Sequence, residues 1–242
     1  MIRELEGGQT NHSFLVGAGA LRAVVRVNRL HAVKLGIDRQ RELSILNVLQ
    51  PSGLVPKILY ADKDVLVSEF IEGSVLTADH LADKSIQEAL YKAIEKVQSL
   101  RLPNAEARCY RSYCQQYCDQ IPKHLLSDGV KTDIYNIAEQ VDGGDWQPVI
   151  CHHDLVLENI IVNNRGLFII DWEYAALGHP DIDLVRAFGN GAVGIGGSDS
   201  ERRTLLSMQY LLDKLWSALR YPQLQSVLQD NLSKIIATEV PK

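Results

Sequence analysis

Two short apolar runs, Ile160–Val162 and Leu167–Ile170, close around Asn163, Asn164, Arg165 and Gly166. β-rich runs of this length, separated by Asn and Gly, specify a β-hairpin. A hairpin fixes which residues oppose one another, because a slip of one residue turns every side chain to the other face. With the loop taken as residues 164–166, Asn163 pairs with Leu167, and Asn159 is expected opposite Asp171. Opposed residues lie about 4.5–5.5 Å apart between Cα atoms. An amide oxygen and a carboxylate side by side at the open end of a ribbon suit Mg²⁺, which takes oxygen ligands and commonly only one or two from protein beside phosphate and water. Asp154 precedes this ribbon in a segment that has left one strand-like run and not yet entered the next, a loop position that suits a catalytic carboxylate.

The order His152-x-Asp154-x4-Asn159, followed by Asp171 at the end of the next apolar run, resembles the arrangement of protein kinases. There the first Asp accepts the substrate hydroxyl proton, while the Asn and the second Asp hold the metal ions on ATP. With Asp171-Trp172-Glu173-Tyr174-Ala175 and His179-Pro180-x-x-Asp183-Leu184, the chain resembles the aminoglycoside phosphotransferase and choline kinase superfamily of small-molecule kinases. The run after Asp171 is especially like the choline and thiamine kinase branch. The resemblance implies an α+β, two-lobed protein-kinase-like fold, with an antiparallel sheet over residues 1–73 that binds nucleotide and a mainly helical lobe over residues 74–242 that binds the acceptor. It implies ATP or GTP with Mg²⁺ as cofactors, Asp154 as catalytic base, Asn159 and Asp171 as metal ligands, and Asp183 as a brace beneath the catalytic loop. His152 is expected to hold that loop by hydrogen bonding.

Composition is ordinary for a globular protein. The chain has 242 residues, 46% of them hydrophobic and 23% charged, and a net charge of -5. That charge disfavours a nucleic-acid partner. From Asp154 to Asp183 the acids Asp154, Glu158, Asp171, Glu173, Asp181 and Asp183 are offset only by Arg165, a local excess that favours metal or cationic ligands. No run reaches the roughly 20 apolar residues of a membrane span, and the first residues lack the basic-then-apolar pattern of a signal peptide. The four cysteines, without zinc-pair spacing, read as reduced thiols, so the expected location is the cytoplasm.

The first 35 residues read as strands, with apolar runs at Ser13–Val16 and Leu21–Val27. Gly7-Gly8-Gln9-Thr10-Asn11-His12 is open to two readings, an ordinary turn or a glycine-rich turn whose N–H groups approach phosphate. The resemblance assigns nucleotide contact to Gly8, Thr10 and Asn11. It also places a cation for the phosphates at Arg26, with Lys34 as runner-up, and makes Glu42 the carboxylate that orients Arg26; the plain reading of Glu42 is a surface acid. Ile37–Leu49 has helical spacing and ends at Pro51 and Gly53. Two further strands, Ile58–Tyr60 and Val65–Phe70, lead to Glu69 and Ile71, where a hinge would offer backbone groups to adenine.

Helices are expected over Ile86–Leu100, Tyr110–Leu126, Thr132–Val141, Asp181–Phe188, Arg202–Leu219 and Gln223–Ile236. Tyr110, Tyr113 and Tyr117 repeat at helical spacing and read as core or pocket lining, while Tyr210 and Trp216 read mainly as core. Glycine-rich residues 189–200 read as a mobile loop. The expected reaction moves the γ-phosphoryl group of the nucleotide to a hydroxyl of a small, cationic alcohol resembling choline, ethanolamine or thiamine, with Glu173, Asp181 and Trp216 toward the acceptor. An aminoglycoside acceptor and a silent nucleotide-binding pseudokinase are the alternatives.

Overall fold

The computed structural model describes residues 2–5, 11–19, 21–28, 32–189 and 198–239. Gly8 and Thr10 therefore lie outside the described residues, as do residues 190–197 of the glycine-rich stretch. Two compact units are present: Met1–Val33, Ile37–Ala105 and Val149–Leu177 in the first, and Lys34–Gly36, Glu106–Pro148 and Gly178–Lys242 in the second.

The first unit carries an antiparallel sheet built from β1 (Ile2–Leu5), β2 (Asn11–Ala18), β3 (Leu21–Asn28), β4 (Ile58–Ala61) and β5 (Val65–Glu69), in the order β1-β2-β3-β5-β4. Register pairs Arg26 with Ser13 on one side and Leu66 on the other, and Leu15 with Val24. Leu15, 4% exposed, and Arg26 therefore share one face by the period of two. Helix α1 (Arg39–Leu49) contributes Glu42, Ile45, Leu46 and Leu49 to the interior at helical spacing. Its start is set by Asp38, whose Oδ1 accepts from the Gln40 and Arg41 amides at 2.9 and 3.0 Å.

A second sheet in this unit has the order β6-β8-β9, from β6 (Ser74–Val75), β8 (Ile160–Asn163) and β9 (Gly166–Ile169). Between them in sequence lies β7 (Val149–Cys151), which pairs with β10 (Ala176–Gly178). Strands this short carry little periodicity, so β6 and β10 went unrecognised in the sequence. Gly73 permits the approach of β6 to β8: a Cβ there would lie 2.6 Å from the Val162 carbonyl oxygen. Helix α2 (Lys84–Ser99) packs against β7 and β9 with the expected stripe of Leu90, Ala93, Ile94 and Val97.

The second unit is helical: α3 (Tyr110–Cys118), α4 (Asp128–Asp142), α5 (Ile182–Phe188), α6 (Asp199–Arg220) and α7 (Leu228–Glu239). Helix α3 stops earlier than the expected Leu126, since Pro122 supplies no N–H and disfavours helical backbone before it. Tyr110 and Tyr117 are buried in the interior, and the Tyr113 and Tyr117 hydroxyls meet at 3.0 Å. Tyr210 is 51% exposed, contrary to its reading as core, because the buried stripe of α6 runs through Leu205, Met208, Leu211 and Leu215. Among the described residues no helix is long and apolar enough to cross a membrane.

Candidate active site

The loop from β7 to β8 is held by His152, which is fully buried. Its Nε2 lies 2.9 Å from the Ile170 carbonyl oxygen and its Nδ1 accepts from the Asp154 amide at 3.3 Å. A carbonyl can only accept, so Nε2 carries the proton and the ring joins two backbone segments. The ring also lies 4.7 Å from the Trp172 ring. Asp154 is half-buried, and its carbonyl oxygen accepts from the Val156 amide at 2.8 Å and from Asn159 Nδ2 at 2.9 Å. The amide nitrogen of Asn159 is thereby committed to the loop. Its Oδ1, the atom a hard cation would take, is the end that this bond leaves over.

The hairpin corrects the expected register. Asn163 pairs with Gly166 and Ile160 with Ile169, so the loop is the two residues Asn164 and Arg165. Asn163 Oδ1 accepts from the Arg165 amide at 2.8 Å, and Gly166 takes φ 124°, closed to most side chains. Asn159 accordingly stands across from Ile170, whose amide donates to the Asn159 carbonyl at 2.9 Å, and Asp171 lies two residues beyond Ile169, the last residue of the ladder. Asp171 leaves the ladder in left-handed backbone, φ 63°, ψ 58°. Among the described residues the non-glycine positive φ values are at Asn104, His153 and Asp171, two of them beside the candidate catalytic residues. Such backbone costs on the order of 1–3 kcal/mol and concentrates at functional sites.

Arg26 meets Glu42 through a two-pronged ion pair, NH1 to Oε1 and NH2 to Oε2, both 2.7 Å, and its NH1 lies 3.6 Å from Asp171 Oδ1. The side chains are 11% and 3% exposed, so Glu42 is an interior residue rather than a surface acid. Burial alone would raise the Glu42 carboxyl, but Arg26 and then Arg39 outweigh it and hold the group below its ordinary range. A carboxyl lowered by folding stabilises the protein above its unfolded pKa, and that contribution disappears as pH falls through the folded value. Glu42→Ala leaves the Arg26 guanidinium without this partner and is expected to lower unfolding stability by about 3–5 kcal/mol at neutral pH. Urea melts at pH 7 and pH 4 check it, the gap between variant and wild type narrowing at the lower pH.

The sequence reading missed Arg39. This guanidinium, 15% exposed, contacts Glu42 Oε2 at 2.8 Å, Glu173 Oε2 at 3.0 Å and Asn11 Oδ1 at 2.7 Å. Asn11 Nδ2 in turn donates to Glu173 Oε2 at 2.7 Å. Asn11 and Glu173 are 5% and 2% exposed. Glu173, expected to serve a cationic acceptor, is a buried carboxylate engaged by Arg39 and Asn11. The same contacts occupy both polar ends of the Asn11 amide, expected to face phosphate. The available signal was Arg39 in the helix-starting run Asp38-Arg39-Gln40-Arg41-Glu42, where spacing of three joins Arg39 to Glu42.

Asp171 keeps 41% of its side-chain surface. Its carboxyl is pushed well above the ordinary range by partial removal from water and by Glu173, with Glu42 and Asp154 adding to these and Arg26 opposing. Solvent reaching the side chain softens the burial contribution; the upward direction stands because Glu173, Glu42 and Asp154 together oppose the ionised form that Arg26 favours. A group of three or more His, Cys, Asp or Glu side chains able to hold a metal by themselves is absent among the described residues. The Asn159 amide oxygen and the Asp171 carboxylate, in an acid excess, instead fit a divalent cation that brings its other oxygen ligands from phosphate and water.

At the strand exit, Arg165 NH1 contacts Glu69 Oε1 at 2.7 Å, and Asn163 Nδ2 donates to the Glu72 carbonyl at 2.7 Å. Ile71, buried between them in sequence, has a backbone N–H and C=O that enter no backbone hydrogen bond among the described residues. Lys34 is exposed and belongs to the second unit, unlike Arg26. The second unit also holds half-buried Asp181, whose carboxyl is raised by burial and by Glu201, and Trp216, whose ring lies 6.3 Å from Tyr221.

The family model described as choline/ethanolamine kinase matches residues 2–195. Ethanolamine kinase 2 of Mus musculus is 25% identical over 182 residues, which cover 70% of this chain and 47% of that protein. The chain spans about half the length of the relatives it matches. Among solved structures, choline kinase LicA from Streptococcus pneumoniae superposes with a TM-score of 0.80 at 20% identity, covering 98% of this chain and 93% of that one. LicA has also been solved in complex with AMP. A thermostable mutant of the aminoglycoside phosphotransferase APH(4)-Ia gives a TM-score of 0.70 at 14% identity, with 100% and 96% covered. The fold is therefore the expected α+β, protein-kinase-like one, with an N-terminal antiparallel sheet and a helical C-terminal part.

Proposed function

Because this chain belongs to the choline/ethanolamine kinase family, we propose that it transfers the γ-phosphoryl group of ATP to the hydroxyl of a small cationic alcohol of the choline or ethanolamine type. The observation that carries this reading is the tying of the Asp154 loop to the segment just before Asp171: Asn159 donates to the Asp154 carbonyl at 2.9 Å, the Ile170 amide donates to the Asn159 carbonyl at 2.9 Å, and His152 Nε2 lies 2.9 Å from the Ile170 carbonyl oxygen. Asp154 accepts or orients the hydroxyl proton. Asn159 Oδ1 and Asp171 hold Mg²⁺, which supplies charge neutralisation on the phosphates. Arg26 steadies the phosphates, and Glu42 keeps its guanidinium in place. The backbone of Glu69 and Ile71 contacts adenine, Gly8 and Thr10 contact phosphate, and Asp181 and Trp216 serve the acceptor. The functional division falls after Gly73, between a nucleotide-binding part and a catalytic and acceptor-binding part.

The test is ATP consumption with Mg²⁺ over choline, ethanolamine, thiamine, aminoglycosides and neutral sugars. Turnover is expected with choline or ethanolamine. Phosphorylation of an aminoglycoside alone, or nucleotide binding without transfer to any of these, would replace the reading with the corresponding alternative. A finer prediction concerns charge. An ion pair in a partly dry cleft is worth about 4 kcal/mol at 4 Å before desolvation reduces it. The kcat/KM for choline is therefore expected to exceed that for its neutral isostere 3,3-dimethyl-1-butanol by about tenfold or more. Equal values would remove the positive charge from recognition.

A further inference from the structure

Arg39 occupies a special place among the buried charges of the first unit. It is the first residue of α1, and the Asp38 cap fixes the backbone from which its side chain leaves. Its NH1 meets Glu42 and Glu173 together, while NH2 reaches Asn11. The Asn11–Glu173 bond closes the triangle. One guanidinium thus ties the first residue of β2, the first turn of α1 and the short turn that follows Asp171. The next contact outward from Glu42 is Arg26, and the next from Arg26 is Asp171. Arg41 adds a separate tie between α1 and the same turn, Nε to the Ala175 carbonyl at 2.8 Å.

We propose that Arg39 is a positioning residue for the Mg-nucleotide site: by holding Asn11, Glu42 and Glu173 at once, it sets where the Arg26 fork and the Asp171 turn stand relative to the sheet. The inference rests on the kinase reading above. A planar, five-donor fork can hold an amide oxygen and two carboxylates in separate directions, whereas an ammonium group is a single point at the end of a flexible stem. Lysine at this position keeps the charge opposite Glu42 and Glu173 and loses the reach to Asn11. Glu173 and Asn11 act in the same clamp, so neither needs to touch nucleotide or acceptor to matter for catalysis.

The experiment compares Arg39→Lys and Asn11→Ser with wild type, with Asp171→Ala as a control. Binding of the non-hydrolysable Mg-AMPPNP is measured by calorimetry, with melting temperature and acceptor KM alongside. Asn11→Ser preserves every charge and removes the same link from its other end. Both variants are expected to remain folded at the assay temperature with a lowered melting temperature, since each loses a buried hydrogen bond, to bind Mg-AMPPNP about tenfold more weakly, as loss of a charge-assisted hydrogen bond implies, and to keep acceptor KM within about twofold. A lowered melting temperature with unchanged nucleotide affinity would reduce Arg39 to a purely structural residue and overturn the proposal. Wild-type affinity in both variants, beside a control that has lost binding, would overturn it too while leaving the kinase reading intact. A wild-type protein that takes up no Mg-AMPPNP would bring down the kinase reading and this inference together.

Discussion

Asp154→Asn is expected to lower turnover by roughly 10²- to 10⁴-fold, the usual contribution of a positioned general base, while nucleotide affinity and melting temperature stay close to wild type. The substitution is nearly isosteric, and three contacts of the loop run through the Asp154 backbone: its amide donates to His152, and its carbonyl accepts from Val156 and Asn159. They survive the change. A structural carboxylate would give the opposite pattern, a lower melting temperature with turnover nearly preserved. Single-turnover kinetics with a confirmed acceptor separates the two, because it isolates the chemical step from product release. Turnover equal to wild type would remove Asp154 from the mechanism.

Asp171→Ala is expected to abolish Mg²⁺-dependent nucleotide binding. A triphosphate without its cation adds several negative charges to a neighbourhood that already holds an excess of acids, and like charges repel. Titration of Mg-AMPPNP and of metal-free AMPPNP by calorimetry decides the matter. Metal dependence unchanged from wild type would place the cation elsewhere. The raised Asp171 carboxyl adds a second readout. A group whose pKa is raised by folding contributes stability at low pH, and that contribution is lost as pH rises through the folded value. In the metal-free protein at pH 8, Asp171→Asn therefore relieves a repulsion and is expected to raise the melting temperature, although it removes a proposed ligand of the cation. Protons and the cation compete for the same oxygens, so Mg²⁺ affinity in wild type should fall on acidification, starting at higher pH than an ordinary carboxylate would give.

The sequence alone determined the parts of this protein whose signals are local. Apolar runs marked the strand that carries Arg26 and the strand that ends at Glu69, and helical spacing marked the buried stripes of α1 and α2. The order of His152, Asp154, Asn159 and Asp171 was enough to state a chemistry. Tertiary structure decided what depends on geometry across distant segments. The register of the β8–β9 hairpin turned on whether Gly166 closes the loop or begins the next strand, and that choice moved Asp171 off the ladder and into left-handed backbone. Glu173 read as a spare acid because its partners, Asn11 and Arg39, stand far from it in sequence. Periodicity reports which side of an element is buried, but it says nothing of which charges meet there. Those meetings are set by how β2, α1 and the turn after Asp171 pack together, and burial makes each pairing strong enough to assign a residue to the site or to its support.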